Sequence, residues 1–172
     1  MKMWEQFDMN EISLLILNAG AYAFVLLLAN GKKFTPQITA ISLLWGFTVG
    51  ILYDFTIGGG LLDFYKENDT NRYEGADVLY HLLYAPFGYY FFYFYETLGI
   101  RKKTFLLYVA AWAVIGVGAQ WLFTVLNIIT LQKGYRLAYS FPIFLVTQSL
   151  TGIYIELLKK REAFSANRSG AR

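Results

Sequence analysis

At 172 residues, with 56% hydrophobic and only 16% charged side chains, the chain is too apolar for an ordinary soluble domain. It has no cysteine and a single histidine, which excludes disulfides, thiol catalysis and iron–sulfur clusters and leaves little for a metal site. The net charge of +3 does not indicate nucleic acid binding, because the basic residues stand at segment ends and form no single stripe. We therefore expect a protein whose first partner is the lipid bilayer, with no nucleic acid partner, cofactor or metal.

Five long apolar segments follow one another, at about residues 12–29, 38–57, 78–98, 104–129 and 139–158. Each is close to the roughly 20 residues that a helix needs to cross about 30 Å of hydrocarbon. A spanning helix satisfies its own backbone hydrogen bonds, and the segments lack the alternation of barrel strands. The sequence predicts an all-α bundle of five transmembrane helices in one domain, residues 1–162, and a disordered basic cytoplasmic tail, residues 163–172.

The fifteen basic residues are spread unevenly around these segments. Ten of them occupy alternate connections and the tail: Lys32, Lys33, Arg101, Lys102, Lys103, Lys159, Lys160, Arg161, Arg168 and Arg172. The positive-inside rule then predicts an outside N-terminus and a cytoplasmic C-terminus. The first eleven residues carry three acidic residues against Lys2 alone, which is unlike a signal peptide and suits a retained first helix.

Small residues at helical spacing mark faces where two helices can approach closely. Gly46 and Gly50 form a GxxxG pair in the second segment, Ala19 and Ala23 a similar pair in the first, and Gly116 marks the fourth. Packing within one chain is the favoured interpretation, because every multi-span bundle needs such faces. A seam with a second copy is the alternative.

Three amides lie at membrane depth: Asn18, Gln120 and Gln148. Burying an amide without a partner costs about 1–3 kcal/mol, so each is expected to have a use. One interpretation is a set of interhelical hydrogen bonds that hold the bundle together. The other is a polar cavity that binds or passes a solute.

A second polar group is predicted in the outer half, from Asp54, Asp77, His81 and Tyr84. Asp77 and His81 are four residues apart on one helix face, where their side chains can form a hydrogen-bonded pair. An interfacial aromatic belt with Asp77 as helix cap is the plainer interpretation. An outward-facing pocket for a cation or a small polar molecule is the alternative.

Pro86 and Gly88 interrupt the third segment and predict a kink there. The aromatic run that follows, Tyr89 to Tyr95, predicts a surface that faces lipid or packs against another helix.

No catalytic motif is present, so an enzyme is not expected. Asp63, Asp77 and His81 are the only acid–base set for a lipid-modifying activity, which ranks third. The first hypothesis is a protein that binds or transports a small polar or cationic solute through Asp54, Asp77, His81, Tyr84, Gln120 and Gln148. The second is a non-catalytic accessory or assembly subunit that joins a membrane protein partner or a second copy of itself.

Four stretches carry a resemblance: Tyr53-Asp54, Asp63-Phe64-Tyr65, Asp77-Val78-Leu79-Tyr80 and Tyr84-Ala85-Pro86-Phe87-Gly88-Tyr89. They resemble uncharacterised small multi-pass membrane proteins of Bacillus-type Firmicutes over about the second to fifth segments. This resemblance implies a bacterial plasma membrane and no particular activity. Ala19-x-x-x-Ala23 is similar to the docking face of the substrate-binding subunits of vitamin transporters, small bundles that usually have six spans and bind ligand near the outer face.

Overall fold

The computed structural model of the chain describes residues 9–67 and 75–169. In chain order its elements are α1 (Met9–Ala29), α2 (Pro36–Ile57), β1 (Tyr65–Glu67), α3 (Gly75–Leu82), α4 (Tyr84–Thr97), α5 (Lys102–Val125), β2 (Ile129–Leu131) and α6 (Leu137–Ser169). The fold is mostly helical, as predicted. Two short strands, which the sequence did not predict, are added to it.

Four of these helices are long and apolar enough to cross a membrane: α1, α2, α5 and the part of α6 over Leu137–Arg161. They expose large apolar side chains, such as Leu26, which is 67% exposed, and Leu107, which is 75% exposed. An apolar surface of this extent suits contact with lipid and not with water. The chain is therefore a membrane protein.

The third predicted segment, residues 78–98, is divided into α3 and α4 at Leu83. Pro86 has no amide hydrogen, so in a continuous helix the carbonyl of Leu82 would lack its partner. The Tyr22 hydroxyl of α1 donates to this carbonyl at 3.0 Å. The break thus lies three residues before the proline, and a neighbouring helix satisfies the freed backbone group.

The aromatic run Tyr89 to Tyr95 makes α4 the buried centre of the bundle. Tyr89, Phe91 and Tyr95 are at most 2% exposed. The Tyr108 hydroxyl of α5 donates to the Phe91 carbonyl at 2.6 Å, so polar ends of buried tyrosines are satisfied inside the bundle. Of the two surfaces that the sequence allowed, the run forms the helix-packing one.

Glycines set the distance between α2 and α4. A Cβ atom added to Gly88 would lie 2.5 Å from the Gly46 Cα, and one added to Gly50 would lie 2.1 Å from the Tyr84 ring. Both distances are far below van der Waals contact, so the two helices need glycine at this crossing.

Other boundaries differ from the prediction by a few residues. Helices α1 and α2 begin at Met9 and Pro36, slightly earlier than expected. Helix α5 ends at Val125 and not at 129, because Asn127 adopts a left-handed conformation with φ 54° that a helix cannot continue through. Helix α6 continues to Ser169, past the start of the predicted tail at 163, and residues 170–172 lie outside the described residues.

The strands β1 and β2 pair antiparallel and join the α2–α3 connection to the α5–α6 connection. Lys66 faces Thr130 at the middle of this ribbon. Next to it, Lys133 Nζ lies 2.9 Å from Asp63 Oδ2. One end of the bundle is thus closed by paired connections.

Basic residues gather at the other end. Lys33 Nζ donates to Thr97 Oγ1 at 2.9 Å, and Lys159 pairs with the Glu96 carboxylate. These contacts bring the α1–α2 connection and the C-terminal part of α6 to the end of α4.

Candidate functional site

A cavity of about 120 Å³ lies between α2, α4, α5 and α6. About half of the residues in its wall are aromatic, among them Trp45, Tyr84, Trp112 and Phe144. Four glycines, Gly46, Gly50, Gly88 and Gly116, also line it. A Cβ atom on Gly116, for example, would lie 3.0 Å from the Phe144 ring.

Gln120 of α5 lies in the wall of this cavity and is only 5% exposed. Neither its Nε2 nor its Oε1 has a hydrogen-bond partner among the described residues. A buried amide with unused hydrogen-bonding groups costs about 1–3 kcal/mol, and most buried amides avoid this penalty. Gln120 is therefore a polar residue of the cavity wall whose donor and acceptor are both buried and unsatisfied among the described residues.

The Tyr53 hydroxyl adds a third unused polar group beside Gln120. It faces Gln120, Tyr135 and Ser140, but forms no hydrogen bond of normal geometry with any described residue. Tyr135 and Ser140 are already joined to each other at 2.8 Å. The cavity thus combines an aromatic wall with one compact polar patch.

The polar residues of α6 that line the cavity are Thr147, Gln148 and Thr151. The two threonine hydroxyls donate to carbonyls of their own helix. Thr151 Oγ1 also accepts from Trp45 Nε1 at 3.0 Å, which fixes the indole ring of the opposite wall. These two hydroxyls therefore form hydrogen bonds within the protein, and Gln148 is the polar α6 side chain of the wall that can contact a ligand.

Asp54 and His81 form a separate group at the β-ribbon end of the cavity. Tyr65 donates to Asp54 Oδ1 at 2.8 Å, and His81 Nε2 lies 3.3 Å from Asp54 Oδ2. Burial raises the pKa of Tyr65 well above its ordinary value, so the phenol stays protonated and remains a donor. Gly58 permits this packing, because a Cβ atom there would lie 2.7 Å from both the Asp54 carboxylate and the Tyr65 ring.

The structure adds a second carboxylate to the predicted pair of Asp77 and His81. His81 Nδ1 contacts the backbone carbonyl of Asp77 at 2.7 Å, while the carboxylate it faces belongs to Asp54. In a helix the i−4 carbonyl is within reach of the histidine ring, so this contact stays within α3. Both ring nitrogens thus face acceptor oxygens, an arrangement that suits a doubly protonated imidazole.

The six predicted site residues fall into two adjoining groups. Tyr84, Gln120 and Gln148 line the cavity. Asp54, His81 and the buried Asp77 lie behind its wall, where Tyr65 and Tyr80 separate them from the cavity. The Tyr84 hydroxyl donates to the Tyr80 hydroxyl at 2.6 Å, which ties the two groups together.

Among the predicted packing residues, Gly46, Gly50 and Gly116 lie close against neighbouring groups. Ala19 and Ala23 are instead exposed on α1, so this pair does not contribute to the interior of the bundle.

Sequence reasoning missed Trp45 of α2 and Trp112 of α5, which line the cavity and were not part of any motif. The position of Trp45 directly before Gly46 of the GxxxG pair is the one signal that could have indicated it. Nothing local to Trp112 distinguishes it from a lipid-facing tryptophan.

The lipid-enzyme hypothesis loses its acid–base set, because Asp63 pairs with Lys133 at 2.9 Å while His81 faces Asp54. Within the described ranges, no three His, Asp or Glu side chains are grouped as metal ligands. No family model, curated protein or solved structure matches the chain.

Proposed function

We propose that this protein is a five-span membrane protein that binds a small polar solute in the cavity between α2, α4, α5 and α6, as a binding or transport protein does. The observation that carries the proposal is Gln120, a buried amide in the cavity wall whose Nε2 and Oε1 have no hydrogen-bond partner in the described part of the chain. In hydrocarbon such an amide is destabilising, so a ligand that satisfies it has a binding advantage over bulk lipid.

The pairing of β1 with β2 supports the fifth span. The two strands lie on one side of the membrane, and the chain between them contains α3, α4 and α5. Because α5 crosses once, the chain needs a second crossing to return to the same side. Helices α3 and α4 have 8 and 14 residues, about 33 Å at 1.5 Å per residue, which is enough for that crossing.

The distribution of charge supports an outside N-terminus. Lys33 and Lys159 meet at the end of α4 that is opposite the β-ribbon, together with the basic turn that begins at Arg101. The positive-inside rule assigns this end to the cytoplasm. In a bacterial plasma membrane, which the sequence resemblance implies, the ribbon and the Asp54 group then lie on the outer side.

An accessory or assembly subunit remains the second candidate, and one observation favours it. The small residues Ala19 and Ala23 form an exposed strip on α1, which suits close approach of another membrane helix. A partner that co-purifies at fixed stoichiometry, and is lost in an Ala19→Leu variant, would support this function.

Native mass spectrometry of the protein released gently from its own membrane tests the first proposal. We expect a discrete small molecule at fixed stoichiometry in the wild type and its loss in Gln120→Leu. Gln37→Leu is the matched control, because Gln37 is exposed at the start of α2, away from the cavity wall. A protein that carries only bulk lipid, or a molecule retained equally by Gln120→Leu, would contradict the proposal.

A further inference from the structure

A second, half-open cavity lies at the basic end of the bundle and shares no lining residue with the first. It measures about 270 Å³ and is lined by α2, α4, α6 and the connection before α2. We infer that it binds a phospholipid that carries one net negative charge, with the phosphate beside Lys33 and an acyl chain against the apolar residues below. This inference does not depend on the proposed solute-binding function.

The wall of this second cavity consists of an apolar floor and a polar rim. Five apolar side chains form the floor: Phe34, Ile38, Phe92, Ile155 and Leu158. In each of the three helices the polar lining residue stands about one turn nearer the helix end than an apolar one: Thr35 before Ile38, Glu96 after Phe92 and Lys159 after Ile155. One turn is about 5 Å, so the polar rim lies outside the apolar floor along the membrane normal. A phospholipid has the same order, with its headgroup outside its chains, whereas a soluble anion makes no use of the floor.

The charges of the rim leave one cation uncompensated. The lining contains two lysines and one glutamate, and Lys159 pairs with Glu96. Lys33 pairs with no described carboxylate. Glu156, which lies 3.7 Å from Lys159, is exposed and outside the lining, so water and salt screen its charge. One negative phosphate therefore matches the charge of the rim, whereas a zwitterionic headgroup would bring a second cation close to Lys33.

The rim also keeps hydrogen-bond donors for the phosphate oxygens. The Lys33 ammonium has three N–H donors, and one of them donates to Thr97 Oγ1 at 2.9 Å. Its Nζ lies 5.8 Å from the centre of the Tyr93 ring, so α4 holds the cation in place without neutralising it. Thr35 Oγ1 accepts from the Ile38 amide at 3.3 Å, which leaves the hydroxyl hydrogen as a donor. Basic pockets between membrane helices bind anionic headgroups with such groups.

Native mass spectrometry of the full chain in detergent, with one lipid added at a time, tests the inference. The probes share two oleoyl chains: phosphatidylglycerol with one negative charge, zwitterionic phosphatidylcholine, and diacylglycerol without a phosphate. We expect phosphatidylglycerol to bind the wild type about fivefold more tightly than phosphatidylcholine, because one lysine near the membrane surface contributes about that factor. This preference should disappear in Lys33→Gln and persist in Lys33→Arg. Lys160→Gln is the matched control, because Lys160 is exposed next to Lys159 and lies outside the lining.

The outcomes that overturn the inference differ for the charge, the site and the source of the phosphate. Lys33 is exposed in a connection, so Lys33→Gln should stay folded, which circular dichroism reports. Equal binding of phosphatidylglycerol and phosphatidylcholine to the wild type, or a preference that persists in Lys33→Gln, overturns the charge assignment. An equal loss in Lys160→Gln means a diffuse attraction to the basic end and overturns a defined site. Diacylglycerol that binds as tightly as phosphatidylglycerol overturns the role of the phosphate, and displacement of phosphatidylglycerol by inorganic phosphate overturns a lipid in favour of a soluble anion.

Discussion

Two buried amides, Asn18 and Gln120, differ in how far they are hydrogen-bonded, although Asn18 Oδ1 also has no partner among the described residues. Asn18 Nδ2 donates to the Leu79 carbonyl at 2.9 Å, and also to Leu14 of its own helix. The Leu79 carbonyl is available because the Leu83 amide bonds to Tyr80 at the helix break. Gln120 has no such carbonyl opposite it, and its amide remains unpaired among the described residues. The first amide thus joins two helices, whereas the second lies in the cavity wall without such a contact.

We expect leucine at these two positions to change stability in opposite directions. Asn18→Leu leaves the Leu79 carbonyl without its donor and should lower the free energy of unfolding by about 1–2 kcal/mol. Gln120→Leu removes two unpaired polar atoms and should raise it by about 1–2 kcal/mol. Reversible unfolding in mixed detergent micelles measures both. A loss of stability in Gln120→Leu as large as that in Asn18→Leu would mean that Gln120 is a packing contact.

Tyr65 fastens the β-ribbon to α2 through its bond to Asp54. Tyr65→Phe keeps the ring but removes the donor at 2.8 Å from a buried carboxylate. A hydrogen bond to a charged group contributes about 1.5–3 kcal/mol, and we expect a loss of that size in the free energy of unfolding. Tyr139→Phe is the control, because Tyr139 is 52% exposed. Equal effects of the two substitutions would exclude a special role for the Asp54 contact.

Among the helices and strands, the sequence predicts those whose position depends only on residues that are neighbours along the chain. Length and hydropathy located α1, α2, α5 and α6, because a spanning helix is apolar along its whole length. The break at Leu83 was expected nearer Pro86, because its exact place depends on Tyr22, a donor on another helix. The β-ribbon could not be predicted, since it joins two connections that are more than sixty residues apart.

The same limit applies to the candidate site. Tyr84, Gln120 and Gln148 were identified as polar residues inside apolar segments and do line one cavity. Asp54 and His81 were expected to join them, but Tyr65 intervenes, and its position is set by strand pairing. Membrane depth is a property of one segment, whereas the separation of two groups by an aromatic ring is a property of the packed bundle.

The crossing of α2 and α4 gives a prediction about the helices. Gly88→Ala would bring a methyl group to 2.4 Å from the Ser42 carbonyl oxygen, and backbone atoms cannot move aside without separating the helices. We expect a loss of about 1–3 kcal/mol in the free energy of unfolding. Gly118→Ala is the matched control, because a Cβ atom there meets nothing within 4 Å and alanine favours a helix. Equal stability of the two variants would contradict the close approach of α2 and α4.

For the whole molecule, the number of times that the chain crosses the membrane depends on which connections lie on the same side of that membrane. The ribbon joins the α2–α3 and α5–α6 connections, so these two must lie on the same side. If α3 and α4 did not cross together, α5 alone would place the two connections on opposite sides, and the strands could not pair. The five-span arrangement that we propose thus rests on a three-residue strand pairing as well as on hydropathy.

Single cysteines test this arrangement directly, because the chain has no cysteine of its own. Gly59 and Thr130 are exposed beside the ribbon, and Leu98, which is 64% exposed, lies between α4 and α5. We expect a membrane-impermeant maleimide to label Gly59→Cys and Thr130→Cys in intact cells, and Leu98→Cys only after permeabilisation. Labelling of Gly59→Cys and Leu98→Cys from the same side would mean that α3 and α4 turn back within the membrane. If Leu98→Cys were labelled in intact cells and the other two only after permeabilisation, the five crossings would remain but the orientation would be inverted. The Asp54 group would then face the cytoplasm.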